Sequence, residues 1–295
     1  MENGIYTDIS ITDYHANRTH ISATQIKYAT DSLKHFRWYM DGKIVIPNKP
    51  EFNFGNAFEL ALLSHDEYLK KVSVADDLGW CEAAKLDNPK LEKPRASKVY
   101  KTLEEEFLKA NAGKYIIPDT GKDSFETIEN MLDSCKSDKA IASLIENTEY
   151  QVSLFWTDPE TGLQLKTRPD VCKRKKNVLI NIKTIDDGSS ESFSRELAKW
   201  QYPLQACIEI QGCLQTGLMP SVDAYYWLVC EKSAPYNGTI YEFQETDIAA
   251  CMDGLRYRLG KIARAKEANE WPGYSGDADN QFGILTAKIP SWYKH

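Results

Sequence analysis

Arg168-Pro169-Asp170, a turn at Lys173 to Asn177, and then Leu179-Ile180-Asn181-Ile182-Lys183-Thr184 form the stretch that decides how this chain folds. Side chains alternate along a strand, so Asn181 and Lys183 share one face while Ile180 and Ile182 are buried on the other. A hairpin through the turn brings Asp170, at the end of one strand, beside that pair on the next. Phosphodiester hydrolysis asks for such a set. Oxygen donors hold a hard cation, magnesium or manganese, which polarises the phosphoryl oxygen and activates water, while a lysine positions or deprotonates that water. Taken alone the pattern is weak, because Pro-Asp is common and a lysine on a strand face is usually just solvated.

The flanks extend the pattern. Tyr150 to Trp156 alternates Val152, Leu154 and Trp156 with Gln151, Ser153 and Phe155, as a half-buried strand does. Asp158-Pro159-Glu160-Thr161-Gly162 is a turn, Leu163 to Cys172 reads as one returning strand, and Val178 to Thr184 as a third. A helix is expected from about Tyr202 to Thr216, with Pro203 in its first turn and Gly217 past its end. Strands at Val222–Cys230 and Thr239–Phe243 follow, then a helix capped by Thr246 and reaching about Asn269. Upstream, Ser22 and Gln25 form a capping box that opens one helix, whose stripe is Ile26, Ala29, Leu33, Phe36 and Met40. Another helix is expected from about Gly55 to Leu69, an irregular excursion over 73–100, and helices over about 98–112 and 123–146. The fold class is α/β (α+β), with a central mixed sheet flanked by helices. One domain is expected over 1–295: mainly helical at 1–148, sheet and active-site core at 149–245, C-terminal helix and tail at 246–295.

Composition bounds the function only loosely. The formal charge of −7 over 295 residues neither supports nor excludes DNA, since the local field along a groove matters more. No stretch approaches the roughly 18 apolar residues of a membrane span, and Met1 to Asp13 carries no apolar leader, so a cytoplasmic location with no membrane partner is expected. The seven cysteines are scattered with no C-x-x-C pair and read as buried free thiols. The five histidines show no zinc spacing, and neither a phosphate-binding G-x-x-x-x-G-K-[ST] loop nor a G-x-S-x-G elbow occurs. Lys93 and Arg95, in the irregular segment, are candidate phosphate contacts. The run Lys173 to Lys176 reads as a charged turn.

Six ordered segments resemble the RecE-type (exonuclease VIII) branch of the PD-(D/E)xK nucleases. Tyr14-His15 with Ile21 to Lys27 looks like its opening segment. Phe54 to Leu63 is similar to its "G-x-A-x-H-x-x-LL" helix, Ser153 to Asp158 through Thr161-Gly162 to Lys166–Asp170 to its "S-x-FW-x-D…TG…K-x-RPD" hairpin, and Tyr202 to Ala206 to "Y-x-x-QA". Trp271 to Ser275 and Ile289-Pro290-Ser291-Trp292 look like its closing segments. The resemblance implies a restriction-endonuclease-like core with Asp170 as metal ligand, the main-chain carbonyl of Ile182 as a further metal contact and Lys183 as the catalytic lysine. It implies that Gln205 orients that lysine or the scissile phosphate, supported by Tyr202, with Tyr202 and Arg168 near the DNA. It further implies a Mg2+- or Mn2+-dependent, ring-shaped homo-oligomer (trimer or tetramer) that digests linear double-stranded DNA from its 5′ ends. The product is a 3′ overhang for a single-strand annealing recombinase.

Four positions depart from the family pattern. Asn181 stands where the second acidic residue is expected, Glu59 where histidine is frequent, Gln151 where glutamate is frequent, and Glu209 where a tyrosine follows the motif glutamine. An amide oxygen at Asn181 can still coordinate a cation but brings no charge, and Glu59 is the expected compensating ligand. Three explanations of Asn181 stay open: an introduced change, a natural loss of activity, or a site that works with Glu59 and Asp170 alone. On this basis Asn181→Asp is expected to digest linear duplex much faster than the chain as written. The rival functions are an inactive DNA-binding or interaction scaffold and a restriction-type endonuclease.

Overall fold

The computed structural model describes residues 1–45, 50–277, 283–289 and 293. It opens with a strand, Gly4–Tyr6 (β1), and a helix, Ile11–Ala16 (α1). The Ser22–Gln25 capping box is in place, but the helix expected to run on to Met40 is two: Ala23–Asp31 (α2) and Leu33–Met40 (α3). Ser32 separates them in an extended conformation, and its hydroxyl caps the second by accepting from the His35 amide (3.2 Å). Pro50–Leu63 (α4) and His65–Lys71 (α5) replace the single helix expected over 55–69. The excursion expected to be irregular holds Val72–Ala75 (β2) and a helix, Asp77–Asp87 (α6), which Asp76 caps. Lys98–Ala110 (α7), Tyr115–Pro118 (β3), Phe125–Ser137 (α8) and Lys139–Ile145 (α9) follow, with Ser124 rather than Asp123 capping α8.

Pro169 has no N–H to give a neighbouring strand, and the returning strand expected over 163–172 divides there. Gln164–Thr167 (β6) pairs antiparallel with Ser153–Thr157 (β5), while Val171–Lys173 (β7) pairs antiparallel with Val178–Ile185 (β8). The partner strand divides at the same level. Glu149–Tyr150 (β4) pairs with β7, then Gln151 takes a left-handed φ of 58° before β5 begins. The Gln151 amide donates to the Asp170 carbonyl (3.1 Å), so both strands leave one sheet and enter the other together. Beyond β8 come Ser190–Trp200 (α10), Tyr202–Thr216 (α11), Ala224–Glu231 (β9), Gly238–Glu242 (β10) and Glu245–Ala268 (α12).

The larger sheet has the order β10-β9-β8-β7-β4, parallel between β8 and β9 and antiparallel elsewhere. A second sheet, β1-β5-β6, is antiparallel, and β2 pairs parallel with β3. Strand alternation sorts the larger sheet's side chains into two cores. Leu179, Tyr225, Trp227 and Val229 pack with α2, α11 and α12, whereas Ile180, Ile182, Leu228 and Cys230 pack with α4, α8 and α9. This mixed sheet between helical layers is the architecture expected. The paired Asp158 and Arg256 (2.5 Å) tie the β5–β6 turn to α12, and Asp158 also caps that turn by accepting from Thr161. No helix among the described residues is long and apolar enough to cross a membrane. Of the closing segment, Pro290-Ser291-Trp292 lies outside the described residues.

Candidate active site

Asp170 precedes β7 and reaches across to β8, where its carboxylate accepts from the backbone amide of Ile182 (2.9 Å). That bond sets the carboxylate beside Lys183. Burial pushes the Asp170 carboxyl above its ordinary range, and the Lys183 charge and the Ile182 amide pull it back. Lys183 extends to α11, where its Nζ lies 3.5 Å from the Gln205 side-chain oxygen and 4.5 Å above the Tyr202 ring centre. The αL residue Gln201 joins α10 to α11 and turns Tyr202 and Gln205 back over the strand. Gln205 in turn donates to Glu209 (2.9 Å), which also accepts from the Tyr225 hydroxyl (2.7 Å) on β9.

Glu59, on α4, enters from the opposite core. Its carboxylate accepts from the Gln151 amide, whose oxygen accepts from Arg168 (2.8 Å). Arg168 is anchored further by the Ile9 carbonyl (3.0 Å) and the Ser153 hydroxyl (3.1 Å). The left-handed Gln151 therefore acts as a splice between the two sheets and as a clamp on Glu59. Burial first, and the Asp170 charge second, push the Glu59 carboxyl up to about 8. The same two causes push Glu209 up to about 8.

Two cavities meet at Glu59, Asn56 and Lys27. One of about 210 Å³ is lined by Asp170, Arg168, Gln205 and Glu209, and one of about 660 Å³ by Ile182, Lys183, Tyr202 and Trp200. Lys27 is pushed down to about 8 by burial and by Lys183. Asp170, Arg168 and Gln205 thus line one cavity and Lys183, Tyr202 and Ile182 the other, with Glu59 common to both. Asn181 does not line either cavity. It is fully buried, and neither its amide nitrogen nor its oxygen has a partner. Lys93 and Arg95 lie outside both cavities as well. Arg95 is clamped on Asp77 through Nε (3.0 Å) and Nη2 (2.5 Å), an ion pair that holds α6 to the segment before α7.

Among the described residues no group of three or more His, Cys, Asp or Glu side chains is close enough to hold a metal ion. Magnesium does not need such a group, since it keeps several waters and is commonly held by one or two carboxylates. Glu59 and Asp170 meet that requirement with hard oxygen donors, and they lie close enough that the Asp170 charge raises the Glu59 carboxyl. The residues present fit a divalent cation held by Glu59 and Asp170.

Residues 22–281 match the model of the "PDDEXK-like domain of unknown function (DUF3799)". The chain belongs to this PDDEXK-like family. Among solved structures, this PDDEXK-like chain is similar to a protein from Eubacterium rectale described as "Putative exonuclease". The TM-score is 0.60 and the identity 12%, covering 97% of this chain and 96% of that one. A second, the protein SSO0001, has 16% identity over 74% of this chain and 86% of that one, with a TM-score of 0.28. No curated protein matches the chain. The first likeness supports the fold over nearly the whole length.

Glu209 is the site residue that the sequence left without a role. Its signal was present: a carboxylate flanked by Ile208 and Ile210 in the middle of a largely apolar helix. Trp200 and Lys199 were not singled out either, because α10 itself is too polar to announce a buried face.

Proposed function

We propose that this protein is a divalent-metal-dependent DNA nuclease that digests linear double-stranded DNA from its ends. The observation that carries the proposal is the approach of the Asp170 carboxylate and the Lys183 amine across neighbouring strands, at two adjoining cavities that share Glu59, in a PDDEXK-like fold. A magnesium or manganese ion at Glu59 and Asp170 supplies Lewis acidity to the phosphoryl group and lowers the pKa of bound water. The chain's own residues supply the rest. Lys183, steered by Gln205 and by the Tyr202 ring, points its amine into the wider cavity, where it orients the attacking water or the scissile phosphate. Lys27 adds a second positive charge at the same place. Trp200 is half exposed at the rim, held by Glu196 and capped by Lys199 (4.9 Å from the ring centre), and it offers a face on which an unpaired base can stack.

The RecE-like resemblance supports further steps: 5′-end preference, a 3′ single-stranded product, hand-over to a single-strand annealing recombinase and a ring-shaped homo-oligomer. The Eubacterium rectale protein's description as a "Putative exonuclease" supports the end-dependent reading alone. The test is digestion of an end-labelled linear duplex and a covalently closed circle with magnesium or manganese. Linear DNA is expected to shorten and the circle to survive, while Lys183→Ala and Asp170→Asn lower the rate by at least about a hundredfold. Cutting of the circle identifies an endonuclease. An inert protein that still binds duplex DNA identifies a scaffold, the function that the uncharged Asn181 favours.

A further inference from the structure

Asn181 and Glu209 are both buried on the α11 side of the larger sheet. On β8, Leu179 packs into the core beneath α11, and Lys183 reaches Gln205 on α11. Alternation therefore aims Asn181, between them, at α11 as well. There its amide oxygen and nitrogen are sealed from solvent with no hydrogen-bond partner, an arrangement that costs free energy unless something in that volume uses it. Glu209, on α11, is 1% exposed, with its two oxygens fixed by Gln205 and Tyr225. It lines the smaller cavity together with Asp170 and Glu59. A carboxylate buried in the middle of an apolar helix without a salt-bridge partner is rare, because burial of the charge is costly.

We infer that Glu209, which lines the smaller cavity with Asp170 and Glu59, supplies a further fixed negative charge to the divalent cation those two would hold, in place of the carboxylate that residue 181 lacks. The inference rests on the nuclease reading for the identity of the ligand. Two departures from the expected pattern thereby explain each other: strand position 181 lacks a carboxylate, and helix position 209, on the same side of the sheet, carries one. The Gln205 and Tyr225 bonds hold the Glu209 carboxylate in place, so it acts as a positioning residue for the cation and, through Gln205, for Lys183. This reverses the expectation drawn from sequence that Asn181→Asp alone greatly improves the site.

The test measures Mn2+ binding by titration calorimetry and by the loss of free-ion electron paramagnetic resonance signal. It uses the unaltered full chain, Glu209→Gln, Asn181→Asp, the double variant and Asp170→Asn. Thermal melts establish that each is folded. Glu209→Gln can still accept from Gln205 through its oxygen and donate to the Tyr225 phenol oxygen through its NH2, and is expected to weaken Mn2+ binding by at least about tenfold. Asn181→Asp in the Glu209→Gln background is expected to restore it to within about threefold, which a purely structural role for Glu209 would not allow. Unchanged binding in Glu209→Gln, with binding abolished in Asp170→Asn, overturns the relocation and leaves the metal site standing. Failure of the double variant to recover overturns it as well. Should Glu209→Gln not fold, Asn181→Asp alone decides: a gain beyond about tenfold means that Glu209 was not supplying the charge. Absence of Mn2+ binding in every folded protein ends both this inference and the nuclease reading.

Discussion

His20 is 1% exposed, lies edge-on to Phe155 with ring centres 5.0 Å apart, and shares Nδ1 with Asn17 (3.2 Å) and Thr19 (3.0 Å). Its Nε2 is buried without a partner. Burial first, and then the N-terminal amine and Lys166, push its pKa down to about 4 from an ordinary 6.5. Between those two values the unfolded chain binds a proton that the folded one refuses. Stability therefore rises with pH across that window and is lost as pH falls through it, by up to about 3 kcal/mol for this one group. The buried carboxylates Glu59 and Glu209 titrate in the opposite sense, because their pKa values are raised. The comparison must accordingly be made against a variant. Denaturant melts at pH 7.5 and 4.5 should show the unaltered protein losing at least about 1 kcal/mol more than His20→Gln. Parallel losses in the two proteins would remove the assignment.

At the scale of elements, α11 carries the site, and Gly212 decides how closely it can sit. A Cβ built there would stand 2.7 Å from the Thr167 methyl and 2.9 Å from the Trp156 ring, both in the β5–β6 hairpin. Gly212→Ala is expected to destabilise by about 1–3 kcal/mol despite alanine's better helix propensity, since a packed ring cannot give way. A rise in melting temperature on this substitution would mean that helix and hairpin are less tightly apposed. The limits of α11 were legible because Pro203 and Gly217 punctuate it. The break at Ser32 was hidden, because the apolar stripe runs on from Ile26 through Phe36 as though the helix were continuous. Helix α10 was missed because Phe193 is its single fully buried apolar side chain. The division of each hairpin strand between two sheets also left little trace, since the alternation continues past Gln151. In the site, the spacing of Asp170 and Lys183 was readable, as both lie on strands joined by a short turn. Glu59 needed the family resemblance, and Glu209 needed its partner on β9, Tyr225, which sequence distance conceals.

Viewed whole, the site is assembled from both faces of the larger sheet. Glu59 belongs to α4 and the core containing Phe58, Ile128 and Leu228, whereas Gln205 and Glu209 belong to α11 and the core containing Trp227 and Leu259. Asp170 stands at the junction where the hairpin strands pass from one sheet to the other. The two cores share β8 and β9 as a common wall, so neither can lose its packing without exposing the back of the other. Ile128→Ala and Leu259→Ala each delete a fully buried side chain, one per core, and should each cost about 2–5 kcal/mol. In either variant, tryptophan fluorescence, which includes Trp156 and Trp227 in one core only, should report the same midpoint as far-ultraviolet circular dichroism. Saturating Mn2+ should then raise the two variants' midpoints by equal amounts, because a ligand held from both faces stabilises whatever single unit contains them. Two separated transitions, or a metal shift confined to one core's variant, would show that the faces unfold independently. The cleft would then be a seam between two bodies.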